Sequence, residues 1–458
     1  MESLKDQVAT TSFQAASNVP STSSAADVSS ASLPTDSATA AVSSASITTD
    51  TSDATDSATG AVSSASIVTD TSDTSHTPNG SNAFTIQEMH IQLDDSFINM
   101  TKDDTDDDPW IYNNINISRL FKVYQTTVID IIRTHKTIPL ESYIHELAAL
   151  THIIILCKDQ HSLIAQNVFS LDLLQDLSSP DLHAMNLNLD FSVENFIAIN
   201  TIITNLNLKT STRNQAFMDL TTLTTGMEYG PKRIILGINS LIQGLPVTPL
   251  NDYKEIGESE LWCTYFNPLL SFLISDPDQF IHLRWTNTIP NEKNGKTRPD
   301  AVVSEKLQLS FGANIGFGEA KVQKGSGSRV SLCLDTLRLA IFTKNAIDVN
   351  GLDAAIAFQI HGFNITFYLH RLTAKGIYTF TEITHFRFPQ SLEDLPSFVT
   401  LVNIKKMLGI NEVFWRLCKK SLCPDVVKAR YKATQVNLDS MMDTTHDGTR
   451  RCILRYGN

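Results

Sequence analysis

The run Asn314-Ile-Gly-Phe-Gly-Glu-Ala-Lys-Val322 constrains the fold more than any other stretch of this chain. In a strand, successive side chains point to opposite faces, so Ile315, Phe317, Glu319 and Lys321 share one face while Gly316, Gly318 and Ala320 share the other. Glu319 and Lys321 therefore converge. Pro299-Asp300 stands upstream, separated from this run by the mixed stretch Ser304 to Asn314. If Asp300 starts the neighbouring strand of a hairpin, its carboxylate approaches Glu319. Two hard oxygen ligands beside one ammonium are the minimum set for a divalent metal that activates water against a phosphodiester. The competing reading makes Asp300 a turn residue after Pro299, and makes Glu319 and Lys321 a cross-strand salt pair on a half-exposed strand.

An acid, a gap of about twenty residues and an acid-any-lysine triplet form a short pattern that recurs by chance, so the surroundings must decide. The other acid-any-lysine triplet, Asp252-Tyr-Lys254, lies in a polar connector beside Pro249 and Asn251, with no apolar alternation. Upstream of Asp300, the segment Glu258 to Ile274 sets Glu258, Trp262, Tyr265, Leu269 and Phe272 on one helical stripe, with a kink expected at Pro268. Downstream, Lys324-Gly-Ser-Gly-Ser-Arg329 reads as a polar loop. Val330 to Asn345 then repeats apolar residues at Val330, Leu334, Leu337 and Ile341, as a helix does. Three β-rich runs follow, Ala354 to Ile360, Ile365 to Leu369 and Ile377 to Ile383. The order is helix, strand, strand, helix, then further strands.

That series, with Pro299-Asp300 and Glu319-Ala320-Lys321 on neighbouring strands, resembles the PD-(D/E)XK nuclease-like superfamily, the restriction-endonuclease-like fold, over roughly Gly257 to Phe388. The Glu258-Ser-Glu260 helix bearing Asn267-Pro268, the run Leu337 to Lys344 and Gln359-Ile-His-Gly362 are similar to uncharacterised fungal proteins grouped with that fold. The resemblance implies metal ligation by Asp300, Glu319 and the Ala320 backbone carbonyl. It makes Lys321 the water-orienting or charge-stabilising residue and Glu258 an accessory acid. Mg2+ or Mn2+ is the implied cofactor. The gap from Asp300 to Glu319 is toward the long side for the family, and no further Gln/Tyr signature of its subfamilies is recognisable.

Residues 1–83 are Ser, Thr, Ala and Asp for the most part, and Asp36 to Thr55 recurs as Asp56 to Ser75. The duplication is too poor in large apolar groups to offset the entropy of ordering, so a disordered tail is expected, with a mucin-like stalk as the rival. Residues 84–250 read as a mostly helical lobe, with helical spacing over Leu120 to Ile132, Leu140 to Leu156, Val193 to Leu206 and Ile234 to Ile242. Stops fall near Pro139, Pro180 and Pro231. Residues 251–458 would form the nuclease-like domain with basic C-terminal helices.

The scattered residues Cys157, Cys263, Cys333, Cys418, Cys423 and Cys452 suggest no disulfide framework or zinc site. The acidic run Lys102 to Asp108 lacks the Gly and Glu of a calcium-binding EF-hand loop. Net charge is −13, but eleven Lys or Arg stand against five acids from Thr400 onward, leaving a basic surface or an ordinary solvated helix face. No signal peptide or membrane span is evident, which leads to the expectation of an intracellular protein, nuclear or cytoplasmic.

The expected fold is thus α/β, a mixed β-sheet core flanked by helices and preceded by an all-helical lobe. The expected function is metal-dependent phosphodiester hydrolysis with nucleic acid, DNA in the first instance, as partner. The alternative is a catalytically inactive nuclease-fold module that binds nucleic acid, or a protein through the helical lobe.

Overall fold

The computed structural model describes residues 108–179, 189–252, 255–290, 292, 297–323, 329–434, 436–445 and 452–456. The expected tail with its duplication, the acidic run 102–107 and the glycine-serine loop 324–328 lie outside the described residues.

Seven strands form one mixed sheet: β1 (Ile153–Leu156), β2 (Ile281–Trp285), β3 (Ala301–Glu305), β4 (Asn314–Lys321), β5 (Ala355–His361), β6 (Asn364–Ala374) and β7 (Ile377–Arg387). Their order is β1-β7-β6-β5-β4-β3-β2. β1 runs parallel to β7 and β4 parallel to β5, while the other neighbours are antiparallel. Helices α1 (Ile117–His135) and α2 (Leu140–Leu150) precede β1. Between β1 and β2 come α3 (Leu163–Phe169), α4 (Leu171–Ser178), α5 (Val193–Asn207), α6 (Arg213–Leu223), α7 (Tyr229–Gly244), α8 (Glu258–Glu260) and α9 (Asn267–Leu273). Helix α10 (Arg329–Asn350) joins β4 to β5, and α11 (Leu395–Phe398), α12 (Leu401–Leu417) and α13 (Pro424–Arg430) follow the sheet.

The alternation in β4 explains how the two faces are covered. On the face of Ile315, Phe317 and Glu319, α10 packs down, with Phe342 stacked on Phe317 at 5.4 Å between ring centroids. On the other face the glycines leave room that β5 fills. A Cβ on Gly318 would stand 2.1 Å from the Phe358 ring, and one on Gly316 would stand 2.5 Å from Ile356 Cγ2. Phe358 leans over the strand to meet Trp285 of β2, and Trp285 stacks on Trp262 at 4.6 Å with the rings 8° from parallel. Trp262 belongs to the helical stretch that bears Glu258, so this aromatic stack ties that stretch to the sheet.

The kink expected at Pro268 takes the form of a π-helical turn, Leu261–Phe266, between α8 and α9. Proline has no N–H to donate and crowds the preceding turn, so the ladder widens there. The extra residue per turn shifts the buried stripe to Leu261, Tyr265, Phe266, Leu269, Leu270 and Leu273, leaving Trp262 and Phe272 half-buried.

Two expectations for the segment before 250 need correction. The helix expected over Leu140 to Leu156 stops at Leu150. His152 takes a left-handed φ of 69°, and Ile153–Leu156 is the edge strand β1, buried along its whole length. A continuous apolar run cannot be assigned by periodicity alone, and here three consecutive β-branched isoleucines favour the strand. The segment is therefore not all-helical, and its strand completes the sheet. Nor does Pro231 stop a helix: it sits in the first turn of α7, where a missing N–H costs nothing.

Candidate active site

Ala301 of β3 lies opposite Gly318 of β4 in an antiparallel pair, so Asp300, one residue earlier, falls opposite Glu319. Its Oδ2 accepts a hydrogen bond from the Ala320 amide at 2.9 Å, which pins the carboxylate to β4. The sequence places Asp300 there because Pro299 cannot donate to a ladder, so the strand begins just after it.

Glu319 is 3% exposed, and its Oε1 is buried without a hydrogen-bond partner. Burial pushes its carboxyl pKa up to about 10, and the negative charges of Asp335 and Asp300 push the same way, as does a hydrogen bond with the Asp300 carboxyl. The nearby Lys321 ammonium only partly offsets them. With no cation present, Glu319 is therefore a neutral acid at pH 7, lying against a carboxylate as in an acid dyad.

Lys321 continues the same face at the strand end, where it is one-third exposed. Its Nζ lies 3.3 Å from Glu258 Oε1 and 4.0 Å from Asp335 Oδ2. Partial burial disfavours its charge, but Asp335, Glu258, Asp300 and Glu319 together outweigh that and raise its pKa. Glu258 opens α8 and is exposed at the rim.

Asp335 was not singled out in the sequence. It sits in α10, 1% exposed, directed at Lys321 and at Arg338, whose Nη1 is 3.5 Å away. Burial raises its pKa to about 6, against the pull of Lys321 and Arg338. The available signal was an acid set between the apolar positions Leu334 and Leu337 of the helix. Gln359 of β5 is the register neighbour of Glu319 but is held internally. Its Oε1 accepts from Thr336 Oγ1 at 2.7 Å, and its Nε2 donates to the Leu332 carbonyl at 2.9 Å.

The structure thus brings together Asp300, Glu319, Ala320, Lys321 and Glu258. Among the described residues no group of three or more His, Cys, Asp or Glu side chains is disposed to hold a metal ion. The carboxylate pair remains as a candidate holder. Mg2+ commonly takes one or two carboxylates and fills its remaining positions with water and substrate phosphate. The orphaned Glu319 oxygen, buried beside Asp300, is a donor that such a cation would satisfy.

Four cations of the expected basic C-terminal surface have partners within the chain. Lys420 pairs with Glu305 at 3.1 Å, Arg416 with Glu412 at 4.0 Å, Arg430 with Asp108, and Lys406 donates to the His385 carbonyl at 2.8 Å. A cleft of about 530 Å³ opens elsewhere, lined in part by His385, Arg387, Gln390, Phe398, Asn403 and Lys406. It does not contain the carboxylates, yet it lies at their end of the sheet. Lys321, His361, Asn364 and Arg387 are successive cross-strand neighbours. Three strand spacings put Arg387 about 14 Å along from Lys321.

No helix among the described residues is long and apolar enough to cross a membrane. No family model, curated protein or solved structure matches the chain.

Proposed function

We propose that this chain is a metal-dependent phosphodiesterase of the PD-(D/E)XK type acting on DNA. The observation that carries the reading is the Asp300–Glu319 pair, two carboxyl groups on neighbouring strands with the Lys321 ammonium on the same face.

Asp300, Glu319 and the Ala320 carbonyl would hold Mg2+ or Mn2+, which when bound supplies Lewis acidity toward a phosphoryl oxygen and lowers the pKa of water. Glu319 gives up its proton to take part. Asp300 is oriented by the Ala320 amide and needs no reorganisation. Lys321, kept cationic by Glu258 and Asp335, stabilises charge that develops on the phosphoryl oxygens. Arg387 in the cleft offers a second phosphate contact along the same end of the sheet.

A second reading, a nuclease-fold module that binds without cutting, is favoured by the burial of Glu319 and by the lack of a three-ligand group among the described residues. The two separate in one assay. Purified protein is incubated with single-stranded, double-stranded and branched DNA in Mg2+, Mn2+ or EDTA, beside Lys321→Ala. Metal-dependent cleavage that disappears in the variant while binding persists supports the enzyme. Binding without cleavage under every condition supports the module. Neither binding nor cleavage removes both.

A further inference from the structure

Helix α10 carries a second reactive contact, distinct from the carboxylates. Cys333 and Cys452 are free thiols whose sulfurs lie 3.3 Å apart although 119 residues separate them in the chain. Both are buried, Cys333 completely and Cys452 at 8% exposure. Their positions are fixed from both sides. Tyr456 Oη donates to Cys333 Sγ at 3.4 Å and lies 3.1 Å from Thr336 Oγ1. The Arg455 amide donates to Gln160 Oε1 at 2.6 Å, and the Tyr456 carbonyl lies 3.0 Å from His361 Nδ1. Segment 452–456 is thereby laid over the first half of α10, with the two sulfurs already touching.

We propose that Cys333 and Cys452 form a reversible dithiol site, which a small oxidant of the peroxide class closes to a disulfide stapling the C-terminal segment to α10. Cys452, the less enclosed, loses its proton to solvent and attacks one peroxide oxygen. The O–O bond breaks, leaving a sulfenic acid on Cys452 and a hydroxide that takes up the proton. Cys333 then attacks the sulfenic sulfur as its own proton leaves with the displaced oxygen. The S–S bond forms, the S–O bond breaks, and a second water departs. The two thiols give up two electrons and two protons, and the peroxide becomes two waters. A small thiol reopens the bond by exchange.

The wild-type full-length chain suffices for the test. It is treated with hydrogen peroxide, its remaining thiols are blocked, and it is digested without reductant. Expected are a linked peptide pair containing Cys333 and Cys452, and an intact mass lower by two hydrogens that dithiothreitol restores. The closed loop restricts the unfolded chain, so the oxidised form should melt several degrees above the reduced form, a gain absent from Cys452→Ser. The proposal is overturned if both residues are recovered as blocked thiols while glutathione in the same tube is fully oxidised. It is equally overturned if they are recovered as sulfinic or sulfonic acids, or linked mainly to the exposed Cys263 and Cys423. Should Cys452→Ser not fold, the wild-type peptide map decides alone.

Discussion

A carboxyl group held protonated by burial and by neighbouring carboxylates inverts the usual response of stability to pH. An unfolded Glu ionises near pH 4.3, whereas folded Glu319 keeps its proton to about 10. Between those limits the native state binds a proton that the unfolded state has lost, so stability declines as pH rises. Asp335 adds the same trend over a narrower window, ending near its folded value of about 6. In EDTA, the urea midpoint should therefore fall from pH 6 to pH 9, with a loss of unfolding free energy on the order of 4 kcal/mol. Glu319→Gln, which mimics the neutral acid, should flatten that fall. A wild-type midpoint that stays level, or a fall that the variant retains, would show that Glu319 is not the protonated group. At pH 8, Mg2+ should raise the wild-type melting temperature and leave that of Glu319→Gln unchanged, since only an ionised Glu319 can take the cation. The residue types of this site were legible in the sequence, because strand alternation alone fixes that Glu319 and Lys321 share a face. Asp335 was not, since a helix position does not reveal which strand it faces.

Strand β4 depends on what its glycines omit. Gly318→Ala would drive a Cβ into the Phe358 ring, a rigid group itself braced by Trp285, and overpacking of this kind costs about 1–3 kcal/mol. Gly318→Ala combined with Phe358→Leu should recover part of the loss, as read by urea denaturation. Equal destabilisation in single and double variants would mean that the strand backbone, not the ring, is the obstacle. The C-terminal helices make a different prediction. Because Lys420 is engaged by Glu305, Lys420→Ala should lower stability slightly and alter DNA affinity little, whereas Arg387→Ala should weaken DNA binding and reduce its salt dependence, as fluorescence anisotropy across salt concentrations would report. At this scale, α10, β5, β6 and β7 were readable from periodicity and β-branched runs. The kink at Pro268 was readable too, but not its form as a widened turn over Leu261–Phe266, because a missing N–H marks where the ladder breaks without fixing how the preceding turn responds.

Across the molecule, the boundary expected near residue 250 divides elements that share one core. β1 pairs with β7, and α2 packs on α10, so residues 251–458 alone would expose both the edge of β7 and the outer side of α10. That fragment should be largely unfolded or aggregated by circular dichroism and size-exclusion chromatography, while 108–458 should melt cooperatively. A soluble, cooperatively melting 251–458 would restore the two-part organisation. The strand β1 was missed because a four-residue strand among helices carries little pattern, and its partner lies far along the chain. That distance also bears on synthesis. Ile153 sits beside Tyr378, more than two hundred residues later, so at about 5–20 residues per second a ribosome emits the isoleucine-rich strand roughly ten to forty-five seconds before the edge it joins exists. For that interval the nascent chain carries an unpaired, sticky ribbon, and whatever shields it during translation sets how much of the protein reaches the native state.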